Sequence, residues 1–326
     1  MWHGAQRISV VLGALVVVAA LSGAAYQWIA TRNEIAATPP PGRLIDIGGH
    51  RLHLWCTGDG APVVILDTGL GGSSAGWGFV QPQVARFTRV CSYDRAGMGY
   101  SDRGPSPRTA RRIAGELAAL LTRSGIGGPV VLVGASIAGF GVRVFASEYS
   151  QRAAGLVLVD ASHEDDAHEV PRMARFVPLL STVGILRLFG VSFGESNESL
   201  APSVRPFAQA TRFRTAGYQT AADEIIHIRD SADEVRSSRR TLTIPVLVVT
   251  GARGADDNWR RLQLDLASLS ERGCLIVARR SGHLVSVDEP DVVVDAVRTV
   301  VEIARGHDVP LCATPAEHAR GDQRRP

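Results

Sequence analysis

Val130-Val131-Leu132-Val133-Gly134-Ala135-Ser136-Ile137-Ala138-Gly139-Phe140 is the stretch on which the reading of this chain turns. Four apolar residues, three of them valine, run into a turn of small residues that carries a single hydroxyl. A helical pattern follows in Val142, Phe145, Ala146 and Tyr149. A buried parallel strand that turns sharply into a helix reads this way. A serine at such a turn sits in a strained backbone while the helix passes close to the strand, so its neighbours must be small. Gly134 lies two residues before Ser136, Ala138 takes the last place of the G-x-S-x-G pattern, and Gly139 keeps the turn slim. The competing reading is an ordinary strand-to-helix turn with an incidental serine. The remainder of the chain decides between them.

The chain has 326 residues, 45% of them apolar and 21% charged, enough for one large α/β domain or two small ones. All 35 basic residues are arginine, the net charge is +3, and no basic run is interleaved with aromatics, which speaks against a nucleic-acid surface. Cys56, Cys91, Cys274 and Cys312 show no C-x-x-C spacing, so neither a zinc site nor a redox dithiol is expected. An even number of cysteines allows two disulfides outside the cytoplasm; inside it they would be buried thiols.

No charge interrupts the sequence between Arg7 and Arg32. Residues 8–30, mostly Val, Leu and Ala, would span about 34 Å as a helix, enough for a bilayer core of about 30 Å. Tyr26 and Trp28 near one end suit the membrane interface. An uncleaved single-pass anchor is expected. The alternative is a secreted protein, since Ser22-Gly23-Ala24-Ala25 offers small residues to a signal peptidase. Arg7 before the segment, against Arg32 offset by Glu34 after it, points the N-terminus inward and the following domain to the extracytoplasmic side. Residues 31–42 end in three prolines and a glycine and read as a stiff linker.

From residue 43 short apolar strands alternate with helices. Residues 44–47 and 51–56 flank Gly48-Gly49 as a hairpin. Residues 63–67 lead into the glycine-rich Thr68-Gly69-Leu70-Gly71-Gly72-Ser73-Ser74, and 75–86 are expected as a helix. Strands follow at 88–93, 130–133, 155–160, 244–250 and 274–278, and a helix at 292–303 closes the series. This alternation argues a mostly parallel sheet covered by helices on both faces. Residues 161–240 break the rhythm and read as a helical cap. Its apolar stretch 176–193, interrupted by Pro178, Gly184 and Gly190, is either the inner face of that cap or a lipophilic surface for an acyl chain or a membrane. The polar residues 306–326 are expected to be disordered unless Cys312 is tied to Cys274.

The chain from about Gly42 to Gly306 resembles the α/β-hydrolase superfamily. The resemblance rests on the elbow around Ser136, the glycine-rich loop after residue 67, Asp94-Arg95-Ala96-Gly97-Met98-Gly99-Tyr100-Ser101, and Ser281-Gly282-His283 followed by Glu289-Pro290. It implies an α/β-hydrolase fold across 43–305, with a mostly parallel eight-stranded sheet, a cap after the sixth strand and a Ser–acid–His order along the chain. In this fold Cys56 and Cys91 fall on neighbouring strands, so a disulfide is expected there if the domain is extracytoplasmic.

Ser136 is the candidate nucleophile and His283 the base that a serine hydroxyl needs at neutral pH. The acid is less plainly marked. Many relatives carry it as G-x-x-D after the seventh strand, where this chain reads Gly251-Ala252-Arg253-Gly254; Asp256 and Asp257 lie just beyond. The superfamily also uses the end of the sixth strand, where Asp160 stands, and we take Asp160 as the first candidate, with Asp256, Asp257, Glu164 and Asp165 as the others. The resemblance assigns the oxyanion donors to the backbone N–H groups of Leu70 and Ile137, Thr68 standing where relatives have His. Asp94 and Arg95 read as structural. The glycine loop lacks the Lys-Ser/Thr of a phosphate cradle.

The expected function is hydrolysis of a carboxylic ester, less readily an amide, through an acyl-enzyme. A small, lipophilic ester is the expected substrate and the bilayer the partner of residues 8–30, with no cofactor or metal implied. Serine at the elbow argues against the chemistry of epoxide hydrolases and dehalogenases, which use Asp there. An acyltransferase, peptidase or perhydrolase would use the same triad. A catalytically silent binding or scaffold protein is the reading of another class, favoured by Ala135, Ala138, Thr68 and Gly254.

Overall fold

The computed structural model describes residues 2–167 and 172–312. Eight strands form one sheet: β1 (Arg43–Asp46), β2 (Arg51–Thr57), β3 (Val63–Asp67), β4 (Val90–Tyr93), β5 (Val130–Ala135), β6 (Ala153–Val159), β7 (Val246–Gly251) and β8 (Gly273–Ala278). Their order is β1-β2-β4-β3-β5-β6-β7-β8. β2 pairs antiparallel with β1 and β4; all other pairs are parallel. The α/β-hydrolase fold expected from the motifs is thus present.

Strands buried on both faces must be apolar at every position, because successive side chains point to opposite sides. Ile65, Leu132, Leu156 and Leu158 enter one core with Leu117, Phe140 and Val144 from the helices Ala110–Arg123 and Ala138–Glu148. Val64, Val131, Val133 and Val157 enter the other with Val293, Val297 and Val300 from the helix Pro290–Ala304. The parallel strands run the same way, so the loops leaving β3, β5, β6, β7 and β8 meet at one edge, the usual place for a site in such sheets.

Several elements depart from expectation. Residues 75–86 form no continuous helix but a 3-10 turn, Ser74–Trp77, and a single helical turn, Gln81–Val84. Gly76, Gly78 and Pro82 supply the breaks. The N-terminal helix is longer than residues 8–30: it runs Trp2–Ala37, so 31–37 of the expected linker 31–42 are helical. Nothing in Thr31–Ala37 breaks a helix; Pro39, Pro40 and Pro41 are the first residues that do. Within it Gln6–Ala37 is long and apolar enough to cross a membrane.

Between β6 and β7 the chain forms the helices Val177–Thr182, Ile185–Leu188, Arg205–Thr211, Thr215–Ile226 and Ile228–Ser238. The stretch 176–193 is only in part the inner face of this cap: Ser181 and Leu186 are buried and Phe193 borders the cleft, but Phe176, Leu179, Leu188, Phe189 and Val191 are exposed. Short helices broken at the left-handed Gly184 and Gly190 turn these side chains outward. Cys56 and Cys91 lie directly opposite on β2 and β4 and are joined, and Cys274 is joined to Cys312. The expected tail 306–326 is therefore tied back to β8 at Cys312; residues 313–326 lie outside the described residues.

Candidate active site

Ser136 follows β5 directly and has φ of +52°, a conformation L-residues rarely hold. Neighbouring backbone fixes it there. Its N–H donates to the Val159 carbonyl at 3.1 Å, and its carbonyl accepts from Gly139 and Ser162, both at 3.0 Å. The helix crosses so close that a Cβ on Gly134 would lie 2.6 Å from Val142 Cγ2, which explains the small residue there.

Asp160, one residue past β6, is the second non-glycine residue with positive φ, +42°. His283 lies in the loop after β8. The structure brings the three together: His283 Nε2 is 3.0 Å from Ser136 Oγ, and His283 Nδ1 is 2.6 Å from Asp160 Oδ2. The other Asp160 oxygen accepts from Thr250 Oγ1 (2.6 Å), Trp259 Nε1 (3.0 Å) and Gly251 N–H (3.1 Å). Burial opposes ionisation of Asp160, but hydrogen bonds from His283, Thr250 and Trp259 outweigh it and hold the carboxyl below its ordinary range. The bond to Asp160 pushes the His283 pKa up against the effect of burial, with the charges of Asp160 and Glu195 adding to the rise.

The other candidate acids lie elsewhere. Asp256 caps the helix Asp257–Ala267 through Trp259 N–H (2.7 Å), and Asp257 is fully exposed beside Arg260. Glu164 is buried against Arg143 (2.7 Å) and Arg239 (2.9 Å), and Asp165 pairs with Arg236 (3.1 Å). Thr250 and Trp259, which close off the back of Asp160, are site residues the sequence did not mark; no local pattern distinguishes them from any strand-end Thr or helix Trp.

The glycine loop packs on the elbow: a Cβ on Gly69 would lie 3.1 Å from that of Ser136. Leu70 follows Gly69 on that loop and Ile137 follows Ser136 on the elbow, so the two candidate oxyanion donors belong to the two segments packed here. Thr68, in place of the usual His, braces the loop by donating to the Ser73 carbonyl at 2.8 Å. Arg95 does more than a generic structural role suggests. Its guanidinium, 3% exposed, donates to the carbonyls of Thr68 and Gly69, to Asp67 (2.6 Å) and twice to Glu224 of the cap (2.8 and 3.0 Å). Asp94 ties the same region together, accepting from Ser74 N–H (2.6 Å) and Tyr100 N–H (2.9 Å) and facing His53 (2.8 Å).

Beside the loop, core and cap border a partly open cleft, with Gly72, Ser73 and Met98 on one side and Phe193, Asn197 and Arg212 on the other. Glu195 enters it with its carboxyl over Gly72 and Gly76. Burial raises the pKa of that carboxyl, its own backbone N–H and the His283 charge pulling the other way. Asn197 Oδ1 and Arg212 Nε are buried there without hydrogen-bond partners. Among the described residues no group of three or more His, Cys, Asp or Glu side chains is arranged to hold a metal ion.

The family described as "Alpha/beta hydrolase family" matches residues 63–296. An "AB hydrolase superfamily protein" of Gibberella zeae is 24% identical over 281 residues, covering 75% of this chain and 87% of that protein. An uncharacterized protein of Schizosaccharomyces pombe is 37% identical over 119 residues, 35% of this chain; the chain spans only 22% of that relative's length. Among solved structures, a thermophilic esterase from Thermogutta terrifontis superposes with a TM-score of 0.60 at 25% identity, over 78% of this chain and 94% of the esterase.

Proposed function

The chain belongs to the alpha/beta hydrolase family, and within it we propose that it cleaves carboxylic esters through Ser136, His283 and Asp160. The observation that carries this reading is the unbroken hydrogen-bonded line from Asp160 through His283 to Ser136, at 2.6 and 3.0 Å. A serine hydroxyl, a base and an orienting acid in that geometry are what acyl transfer needs. The esterase among its structural neighbours agrees with the reaction class.

In the proposed reaction Ser136 Oγ attacks the ester carbonyl carbon while His283 Nε2 takes its proton. Asp160 holds the Nδ1–H, fixes the tautomer and stabilises the imidazolium. The N–H groups of Leu70 and Ile137 receive the oxyanion. As the intermediate collapses, His283 returns the proton to the leaving alkoxide and Ser136 stays acylated. Water, deprotonated by His283, then releases the acid and restores the serine. Arg95 is a positioning residue here: by gripping the Thr68 and Gly69 carbonyls it holds the N–H of Leu70 in place before charge develops.

The same reading takes residues 8–30 as a bilayer anchor and 43–305 as the catalytic domain, on the extracytoplasmic side. The two disulfides support that side, since such bonds persist in oxidising compartments. Fluorophosphonate labelling of the full chain in detergent tests the chemistry. Labelling is expected for the native protein and for Asp257→Asn, and lost with Ser136→Ala and Asp160→Asn. A folded native chain that resists the probe would leave the silent-scaffold reading in its place.

A further inference from the structure

The N-terminal helix is no free tether. From Ala20 onward one of its faces turns inward, with Gly23, Ala24, Gln27, Ala30, Thr31 and Glu34 at spacings of three and four residues. Gln27 is 3% exposed and donates to the Phe213 carbonyl (2.5 Å) and to Thr215 Oγ1 (3.2 Å). Arg187 of the cap reaches back to Gln27 Oε1 (2.7 Å), Thr31 Oγ1 (2.9 Å) and both oxygens of Glu34 (2.6 and 3.0 Å). Any side chain at Gly23 would run into the Val183 carbonyl. The last turns of the apolar helix are built into the cap.

That docking sets the depth of the domain. The apolar part ahead of the Gly23 contact, residues 8–22, is about 22 Å long as a helix, short of a bilayer core of about 30 Å. To span, the helix must also use the turns that run beside the cap. Those turns present Tyr26, Trp28 and Ile29 outward, and Arg32 lies over the Trp28 ring at 5.4 Å, a pairing suited to the headgroup level.

The cap offers a matching surface at that level. Phe176, Leu179, Leu188 and Phe189 are 55%, 61%, 76% and 75% exposed. They lie in or directly beside the two short helices around Val183 and Arg187, the residues touching the N-terminal helix. Water-facing surfaces rarely gather so many large apolar side chains. The ribbon continues inward from Phe189: the Tyr218 hydroxyl donates to the Val191 carbonyl, and Phe193 packs against Tyr218 at 5.8 Å and borders the cleft.

We propose that this ridge of the cap lies in the leaflet entered by the chain's own N-terminal helix, and that an ester dissolved in that leaflet reaches the cleft along residues 188–193. The delivery half rests on the ester-hydrolase reading; the membrane contact does not. The continuity of the ridge with the spanning helix is what commits it to lipid and not to a second copy of the chain.

The test uses the full chain in vesicles of phosphatidylethanolamine and phosphatidylglycerol, with Phe189→p-benzoylphenylalanine and, as a control on an exposed helix of the main domain, Leu264→p-benzoylphenylalanine. Irradiation is expected to yield phospholipid adducts at 189 and none at 264. Absence of lipid adducts at 189, or capture of a second chain in their place, overturns the membrane contact. For delivery, the doubly substituted Leu188→Asp, Phe189→Asp chain is assayed on a long-chain ester in the vesicles and a water-soluble acetate. Its kcat/KM on the membrane ester is expected to fall about tenfold or more as apolar insertion is lost, with the acetate nearly unaffected. An equal fall on both, or on neither, overturns delivery. A native chain that cleaves neither ester would overturn the ester-hydrolase reading, leaving the photolabelling to judge the contact by itself.

Discussion

The site has two walls, core and cap, and they are finished to different degrees. On the sheet side the strained Ser136 and Asp160 are held by backbone bonds, and each oxygen of Asp160 has at least one donor. The loop over Ser136 is clamped by Arg95. On the cap side Asn197 Oδ1 and Arg212 Nε are buried without partners, and large apolar side chains face outward. Reacting groups held by hydrogen bonds in the free protein are preorganised for chemistry, whereas unpaired polar atoms at the cleft and uncovered apolar surface are open to a ligand or a membrane. On the proposed reading, reaction type is written into the first wall and choice of substrate into the second.

The strongest way to break this contrast is at the sheet wall. Ser136→Ala is expected to lower kcat on an activated ester by about 10⁶-fold, because the triad acts as one unit. Asp160→Asn is expected to cost about 10⁴-fold, since the amide favours the wrong imidazole tautomer. Asp257→Asn should leave the rate unchanged. If Asp257→Asn cost as much as Asp160→Asn, the hydrogen-bonded line would not be the working one.

The same division explains what could be read from sequence. The elbow at 130–140 is legible because a strained turn and a close helix restrict residue types over eleven consecutive positions. Asp160 was legible only as one of several acids, since its selection depends on Thr250 and Trp259, about 90 and 100 residues further on. Arg95 looked structural for the same reason: its partners Asp67 and Glu224 come from the core and the cap. The cap gave its position and helical character, but the sidedness of 176–193 did not follow. Those helices are too short, and too often interrupted by glycine and proline, for periodicity to show which face is buried.

Arg95 joins the walls, so it offers a way to sharpen the comparison through stability. Removing it with Arg95→Met would leave Asp67 and Glu224 as uncompensated buried charges, a loss of about 3–5 kcal/mol. Denaturant titration of the detergent-solubilised chain should show this as a lower midpoint. A midpoint unchanged from the native protein would mean that cap and oxyanion loop are held together by other contacts.

The smallest expected effect is the most specific, because it crosses from the unfinished wall to the finished one. Glu195 sits on the cap side of the cleft, and its charge helps raise the His283 pKa. His283 acts as a base only when neutral, so kcat/KM must fall as pH drops through its pKa, and a raised pKa moves that fall to higher pH. Glu195→Gln takes away the charge while keeping the shape. The imidazolium is then less favoured, and the acid limb should move to lower pH with the plateau rate little changed. Asp160→Asn should move the limb the same way and further, since the bond to Asp160 is the leading cause of the rise, but on a much lower plateau. A limb that stays in place in Glu195→Gln would mean that the carboxyl is protonated across the working range. Its burial pushes it towards that state, and it would then meet the substrate as a hydrogen-bond donor instead of acting on His283 through its charge.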